Sequence, residues 1–164
     1  VVIFPGTGYA LSLLKKKLQA KLIVISNQSG IARGLITRDD VDRVNTKINE
    51  LLASDSVQID AFYYCPYHPD FNSEEECKCR KPSPELIHKA AKEHSIDLSK
   101  SYFVGDSISD MECGWNAGLK TLLVKTGYGL ETLSILQKQN KFPSFVSENI
   151  SDACNIIIND YSGA

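Results

Sequence analysis

Short apolar runs alternate along this chain with amphipathic stretches of helical period. That alternation confines it to an α/β fold built on a mostly parallel sheet. Strands are expected at Leu22–Ile25, Ile59–Tyr64, Tyr102–Val104 and Thr121–Val124, with a last short one at Phe145–Val146. Leu22–Ile25 is apolar throughout, as a strand covered on both faces should be. Between the strands the apolar period changes to that of a helix. After Pro5-Gly6, Ala10, Leu11, Leu14 and Leu18 recur on one face, with Lys15–Lys17 on the wet side. Thr37 caps the next helix in a capping box with Asp40, and Val41, Val44, Ile48 and Leu51 form its apolar stripe. Ser83-Pro84 reads as a helix start, Ser at the cap and Pro at the first helical position. Leu86, Ile87, Ala90 and Ala91 make the inner face of that helix. A short helix follows Gly105-Asp106 and stops near Gly118, and two more are expected near 130–138 and 151–158. The expected architecture is three-layered and Rossmann-like, one domain over residues 1–164, with an irregular insertion at 65–81. His88 and His94 are read as surface or boundary residues, Met111 and Trp115 as core.

Net charge is −2 over 164 residues, which argues against a broad nucleic-acid or acidic-membrane footprint. No apolar run approaches the roughly 20 residues of a membrane span. The start VVIFPGTGYA has neither an initiator Met nor the basic region of a signal peptide. The chain is therefore expected to be cytoplasmic and monomeric, and to begin partway through a longer product.

In open parallel sheets ligands bind outside the carboxyl ends of the strands, and three motifs fall at such ends. Ser26-Asn27-Gln28-Ser29-Gly30 follows the first strand, where a hydroxyl and backbone N–H groups suit a phosphoryl oxygen, though an ordinary polar turn would look the same. Arg80-Lys81-Pro82 precedes the Ser83 cap. Lys81 could neutralise a transferring phosphoryl group and Arg80 could grip a carboxylate or second phosphate, or the pair could be solvated. Gly105-Asp106-Ser107-Ile108-Ser109-Asp110 follows the third strand. Asp106 would offer a hard oxygen to Mg²⁺, and Asp110 would orient or cap, capping being the alternative for both.

The order of these motifs resembles motifs two, three and four of the haloacid dehalogenase superfamily. SNQSGIARG, YYCPYHP, CKCRKP, VGDSISDM and KTGYG further resemble the subfamily of D-glycero-D-manno-heptose-1,7-bisphosphate 7-phosphatases, kin of histidinol-phosphate phosphatases. The likeness runs from about Val1 to Ile158. It implies a Mg²⁺-dependent phosphomonoester hydrolase acting on a small phosphorylated sugar, in the supply of lipopolysaccharide precursors. It casts Ser26 and Lys81 as catalytic groups that hold the phosphoryl group. Asn27, Gln28, Ser29, Arg80 and Ser107 become substrate contacts, and Asp106 the Mg²⁺ ligand. The family's first strand lies centrally and ends in Asp-x-Asp, the first Asp attacking phosphorus and the second serving as general acid–base. Only four residues precede Pro5-Gly6, and no Asp-x-Asp follows a strand here. The chain as given is therefore expected to be inactive, its inner strands either left open or closed directly on each other. Histidinol phosphate as substrate, and a non-catalytic sugar-phosphate-binding pseudo-phosphatase, are the alternatives.

Cys65, His68, Cys77 and Cys79 offer three thiolates and an imidazole within 15 residues, the ligand set of a structural Zn²⁺ site; free thiols on a loop are the alternative. The resembling family's histidine stands where this chain has Tyr67, so His68 would have to substitute. Cys113 and Cys154 fall in apolar helical patterns and are expected to be buried.

Overall fold

The computed structural model describes residues 1–163. Five strands and six helices alternate: α1 Thr7–Leu18, β1 Ile23–Asn27, α2 Arg38–Leu52, β2 Ala61–Cys65, α3 Glu85–His94, β3 Tyr102–Gly105, α4 Ile108–Asn116, β4 Lys120–Val124, α5 Gly129–Lys138, β5 Phe145–Ser147 and α6 Ile150–Tyr161. Every strand pairing is parallel. The expected α/β class therefore holds, with each strand within two residues of its sequence reading.

Successive side chains of the inner strands point to opposite faces, and both faces are apolar, so helices cover both. Tyr102, Val104, Leu122 and Val124 pack toward Leu14 of α1 and Cys154, Ile157 and Ile158 of α6. On the other face Phe103 meets Ile87 of α3 and Cys113 of α4, and Leu123 meets Met111 and Leu136 of α5. Met111, Leu122, Leu123 and Leu136 are fully buried, and Trp115 closes their cluster with its indole N–H on Thr121 Oγ1 at 3.0 Å.

Two helix details depart from the sequence reading. Thr37 and Asp40 form the expected capping box, but Val44 and Leu51 are exposed, so the buried stripe of α2 is narrower than its period implied. α3 starts at Glu85 with Pro84 in the cap position and no side-chain cap bond. Ser83 Oγ reaches the Glu85 N–H only at 3.4 Å.

The sheet is in two pieces, β2–β1 and β3–β4–β5, with no ladder between β1 and β3. The Asp60 N–H bonds Leu22 O and the Gln28 N–H bonds Cys65 O, each at 2.8 Å, so even-numbered residues of β1 face β2. Alternation then turns the N–H and C=O of Ile23 and Ile25 the other way, toward β3. There they border a cleft of about 780 Å³ lined by Leu11, Leu14, Ile23, Ile25, Tyr102 and Val104, with Lys81, Asp106 and Asp110 also on its wall. β1 and β3 therefore do not close directly on each other. Among the described residues no helix is long and apolar enough to cross a membrane.

Candidate active site

Lys81 and Asp110 form the centre of the site. The Lys81 ammonium donates to Asp110 Oδ1 at 2.7 Å and to Ile25 O at 3.0 Å, so one side chain ties the end of β1 to the turn after β3. The side chains are only 12% and 7% exposed. Asp110 Oδ2 accepts from the N–H groups of Asp106 and Ser107, at 3.2 and 3.0 Å, and from the Ser107 hydroxyl at 2.7 Å. Burial alone would push the Asp110 carboxyl up. The Lys81 charge and the Ser107 hydrogen bonds outweigh it and hold the carboxyl below the usual range. Ser107 thus spends its hydroxyl on the capping box of α4 and on Ser109 rather than holding it free for a ligand. A Cβ on Gly105 would fall 2.4 Å from Asp110 Cβ, so glycine is needed for the carboxylate to fold back under the turn.

Asp106 leaves the end of β3 half-buried. Its Oδ2 accepts the Tyr128 N–H at 3.0 Å, from the loop after β4. That loop passes so close that a Cβ on Gly127 would lie 2.0 Å from Asp106 Oδ2, and Gly127 sits at φ +61°. Sequence reasoning used the KTGYG stretch only for its likeness; its signal was a Gly-Tyr-Gly turn at a strand end. Gly127→Ala should cost about 1–2 kcal/mol from the left-handed backbone alone, before any displacement of Asp106. A thermal melt that matched the parent would contradict the close approach. Oδ1 of Asp106 has no protein donor among the described residues, so Asp106 would be the residue to offer a hard oxygen to a cation such as Mg²⁺.

At the end of β1, Asn27 does something its expected role did not include. Its side-chain amide clamps the Lys81 backbone both ways, Nδ2 to Lys81 O at 3.2 Å and Oδ1 from the Lys81 N–H at 3.0 Å. Gln28 Nε2 donates to Ser26 Oγ at 3.2 Å, leaving that hydroxyl able to donate. Ser29 O accepts the Arg33 N–H and shapes the following turn. Arg80 Nη1 donates to Tyr67 O at 3.2 Å. Cys113 and Cys154 are buried, as expected, and burial pushes both thiols up to about 11.

The metal set expected at 65–81 is not assembled. Cys65 and Cys79 are joined as a disulfide, Cα–Cα 5.4 Å, while Cys77 stands free and partly exposed. His68 turns away with the residues that follow it: its carbonyl accepts from Phe71 and Asn72, and its N–H donates to Asn72 Oδ1. Its Nδ1 accepts the Asp70 N–H at 3.2 Å and its Nε2 faces the Arg33 guanidinium at 3.1 Å, a cation where a metal would have to sit. Among the described residues no three His, Cys, Asp or Glu side chains gather as a metal site. The loop is closed covalently instead, a constraint worth about 3 kcal/mol for a loop this long. Protein purified and denatured without reductant should show three titratable thiols, Cys77, Cys113 and Cys154, rising to five on reduction. Five thiols at the outset with one zinc per chain would reverse this assignment.

The HAD-hydrolase-like family model matches residues 78–153, which hold Lys81, Asp106 and Asp110. The D-glycero-D-manno-heptose-1,7-bisphosphate 7-phosphatase of Chlorobaculum tepidum is 40% identical over 141 residues, 81% of this chain and 70% of that protein. The D-glycero-beta-D-manno-heptose-1,7-bisphosphate 7-phosphatase of Pasteurella multocida is 38% identical over 139 residues, 83% of this chain and 73% of that protein. Among solved structures, a D,D-heptose 1,7-bisphosphate phosphatase from B. bronchiseptica, crystallised with magnesium and phosphate, superposes with a TM-score of 0.84 at 29% identity, covering 97% of this chain and 85% of the other.

Proposed function

The chain belongs to the HAD-like hydrolases, with the heptose-bisphosphate phosphatases among its relatives, and from that premise we propose that it serves a phosphatase that removes the 7-phosphate of D-glycero-D-manno-heptose 1,7-bisphosphate. The observation that carries the reading is the buried Lys81–Asp110 pair, set between the ends of β1 and β3, bonded to Ile25 O and with Asp106 on the same cleft wall. Lys81 presents a fixed positive charge where a phosphoryl group would sit, and the Ser26 hydroxyl donates to one of its oxygens. Asp110 holds the ammonium in place, and Asn27 fixes the backbone that carries it. Arg80 binds the part of the substrate that does not react. Mg²⁺, held through Asp106, would supply further neutralisation of phosphoryl charge.

Hydrolysis through an aspartyl-phosphate needs a carboxylate nucleophile, and no strand of this chain ends in Asp-x-Asp. In our reading that nucleophile comes on a strand lying in the cleft between β1 and β3. The backbone of Ile23, which pairs with no strand on that side, and the apolar lining support that place.

The test is product analysis on a protein that contains such a strand. Heptose 1,7-bisphosphate should yield inorganic phosphate and the 1-phosphate in a Mg²⁺-dependent reaction, with histidinol phosphate a far poorer substrate. Faster turnover of histidinol phosphate would reassign the substrate.

A further inference from the structure

We infer that Cys113 and Asn116 are positioning residues for Lys81: with Asp110 they line one side of α4 and hold the segment that carries the lysine, residues 81–83; this rests on the reading of Lys81 as the phosphoryl-binding group. Asp110, Cys113 and Asn116 follow each other at intervals of three residues, the spacing of neighbours along a helix. Asp110 accepts from the Lys81 ammonium at 2.7 Å. Cys113 Sγ donates to Ser83 O at 3.2 Å, and Asn116 Nδ2 donates to Pro82 O at 3.0 Å. One helix therefore meets three consecutive residues, Lys81, Pro82 and Ser83. Every carbonyl along this stretch is taken: Arg80 O by the Ser83 N–H at 2.9 Å, Lys81 O by Asn27 Nδ2 at 3.2 Å, and the next two by α4.

Pro82 has no N–H, so between Lys81 and Ser83 the backbone can be gripped only through carbonyls. α3, which begins at Glu85, has no side-chain cap bond to anchor the segment from that end. Lys81 itself is held from two sides. Asn27 ties its backbone to the end of β1, while its ammonium meets Asp110 after β3. No ladder joins β1 to β3. The spacing across that opening at the rim is therefore set by the segment that bridges it, and the Cys113 and Asn116 donors fix its far end. With those donors gone, residues 82 and 83 are free to follow β1, and the ammonium draws away from Asp110. Cys113 is fully buried with Ile87 and Leu119 around it. Burial pushes its thiol up to about 11, so the S–H remains a donor at neutral pH. Both residues act through Lys81.

The test follows the Lys81 ammonium signal by NMR in the 164-residue chain, labelled at its lysine nitrogens, while inorganic phosphate is titrated in with Mg²⁺ present. The side chain is 12% exposed and ion-paired, so its ammonium protons should exchange slowly enough to be seen, and Lys81→Met assigns the signal by removing it. Cys113→Ala and Asn116→Asp each remove one donor. Both should shift or broaden that signal and weaken phosphate binding about fivefold, at a temperature where every chain is fully folded. Cys113→Ser keeps a hydroxyl for Ser83 O and should stay within about twofold of the unaltered chain. Asn116 is exposed, so Asn116→Asp decides the matter should the buried change prevent folding. A lower melting temperature with signal and affinity unchanged overturns the positioning role. An equal loss in Cys113→Ser places the effect in packing and overturns it too. Phosphate binding that Lys81→Met leaves intact sinks the phosphoryl reading of Lys81, and this inference with it.

Discussion

Lys81→Met should lower the stability of this chain by about 3 kcal/mol, because it leaves a buried Asp110 carboxylate without its counter-charge. The loss stays near the lower end for a broken buried pair, since Asp110 keeps three hydrogen bonds from Asp106 and Ser107. Adding Asp110→Asn to Lys81→Met should restore part of the stability, so the two changes are strongly non-additive in urea melts. Additive losses would mean the pair is not coupled. The same pair sets an acid limit. The folded Asp110 carboxyl titrates below its ordinary value, so the unfolded chain takes up the proton first as pH falls. Its contribution is complete above the unfolded value of about 4 and drains away as pH drops through the lower, folded value. Lys81→Met should flatten that acid limb. In a protein that turns over, the same substitution should also cut kcat by about 10²–10³, the usual effect of losing one preorganised donor on the reacting group.

The 164-residue chain alone should release no phosphate from heptose 1,7-bisphosphate, a loss of the whole catalytic acceleration. Its strand ends offer Lys81, Ser26 and Asp106, but none carries the carboxylate pair that attacks phosphorus and moves the proton. Phosphate binding should persist, since those groups are all present. A protein in which a strand ending in Asp-x-Asp lies between β1 and β3 should be active with Mg²⁺ and melt higher, because the strand would pair the open backbone of Ile23 and fill an apolar cleft of about 780 Å³. The measurement is phosphate release from both proteins at equal concentration. Mg²⁺-dependent turnover by the 164-residue chain, abolished by Asp106→Asn, would show that the nucleophile lies among its own residues.

The sequence by itself determined the layers and the strand ends. An apolar run such as Thr121–Val124 must be covered on both faces, and period-3.6 stripes such as Ala10-Leu14-Leu18 must cover it, so the order of elements and the gathering of Ser26, Lys81 and Asp106 at one rim follow from local pattern. The capping boxes at Thr37–Asp40 and Ser107–Asp110 follow too, because their partners are three residues apart. What only the tertiary structure decided are the contacts between loops distant in the chain. Asn27 clamps a backbone 54 residues away, and Tyr128 holds an aspartate 22 residues back. Arg33 meets His68 across 35 residues. Nothing in a linear spacing says which loop will lie against which. The cysteine loop shows the limit of spacing as a guide. Cys65, His68, Cys77 and Cys79 count out as a ligand set, yet a turn over residues 68–72 sends the imidazole toward Arg33, and the two outer sulfurs meet each other. Ligand count is a property of the sequence, but the direction in which each side chain leaves its loop is set by the backbone bonds that only the folded chain makes.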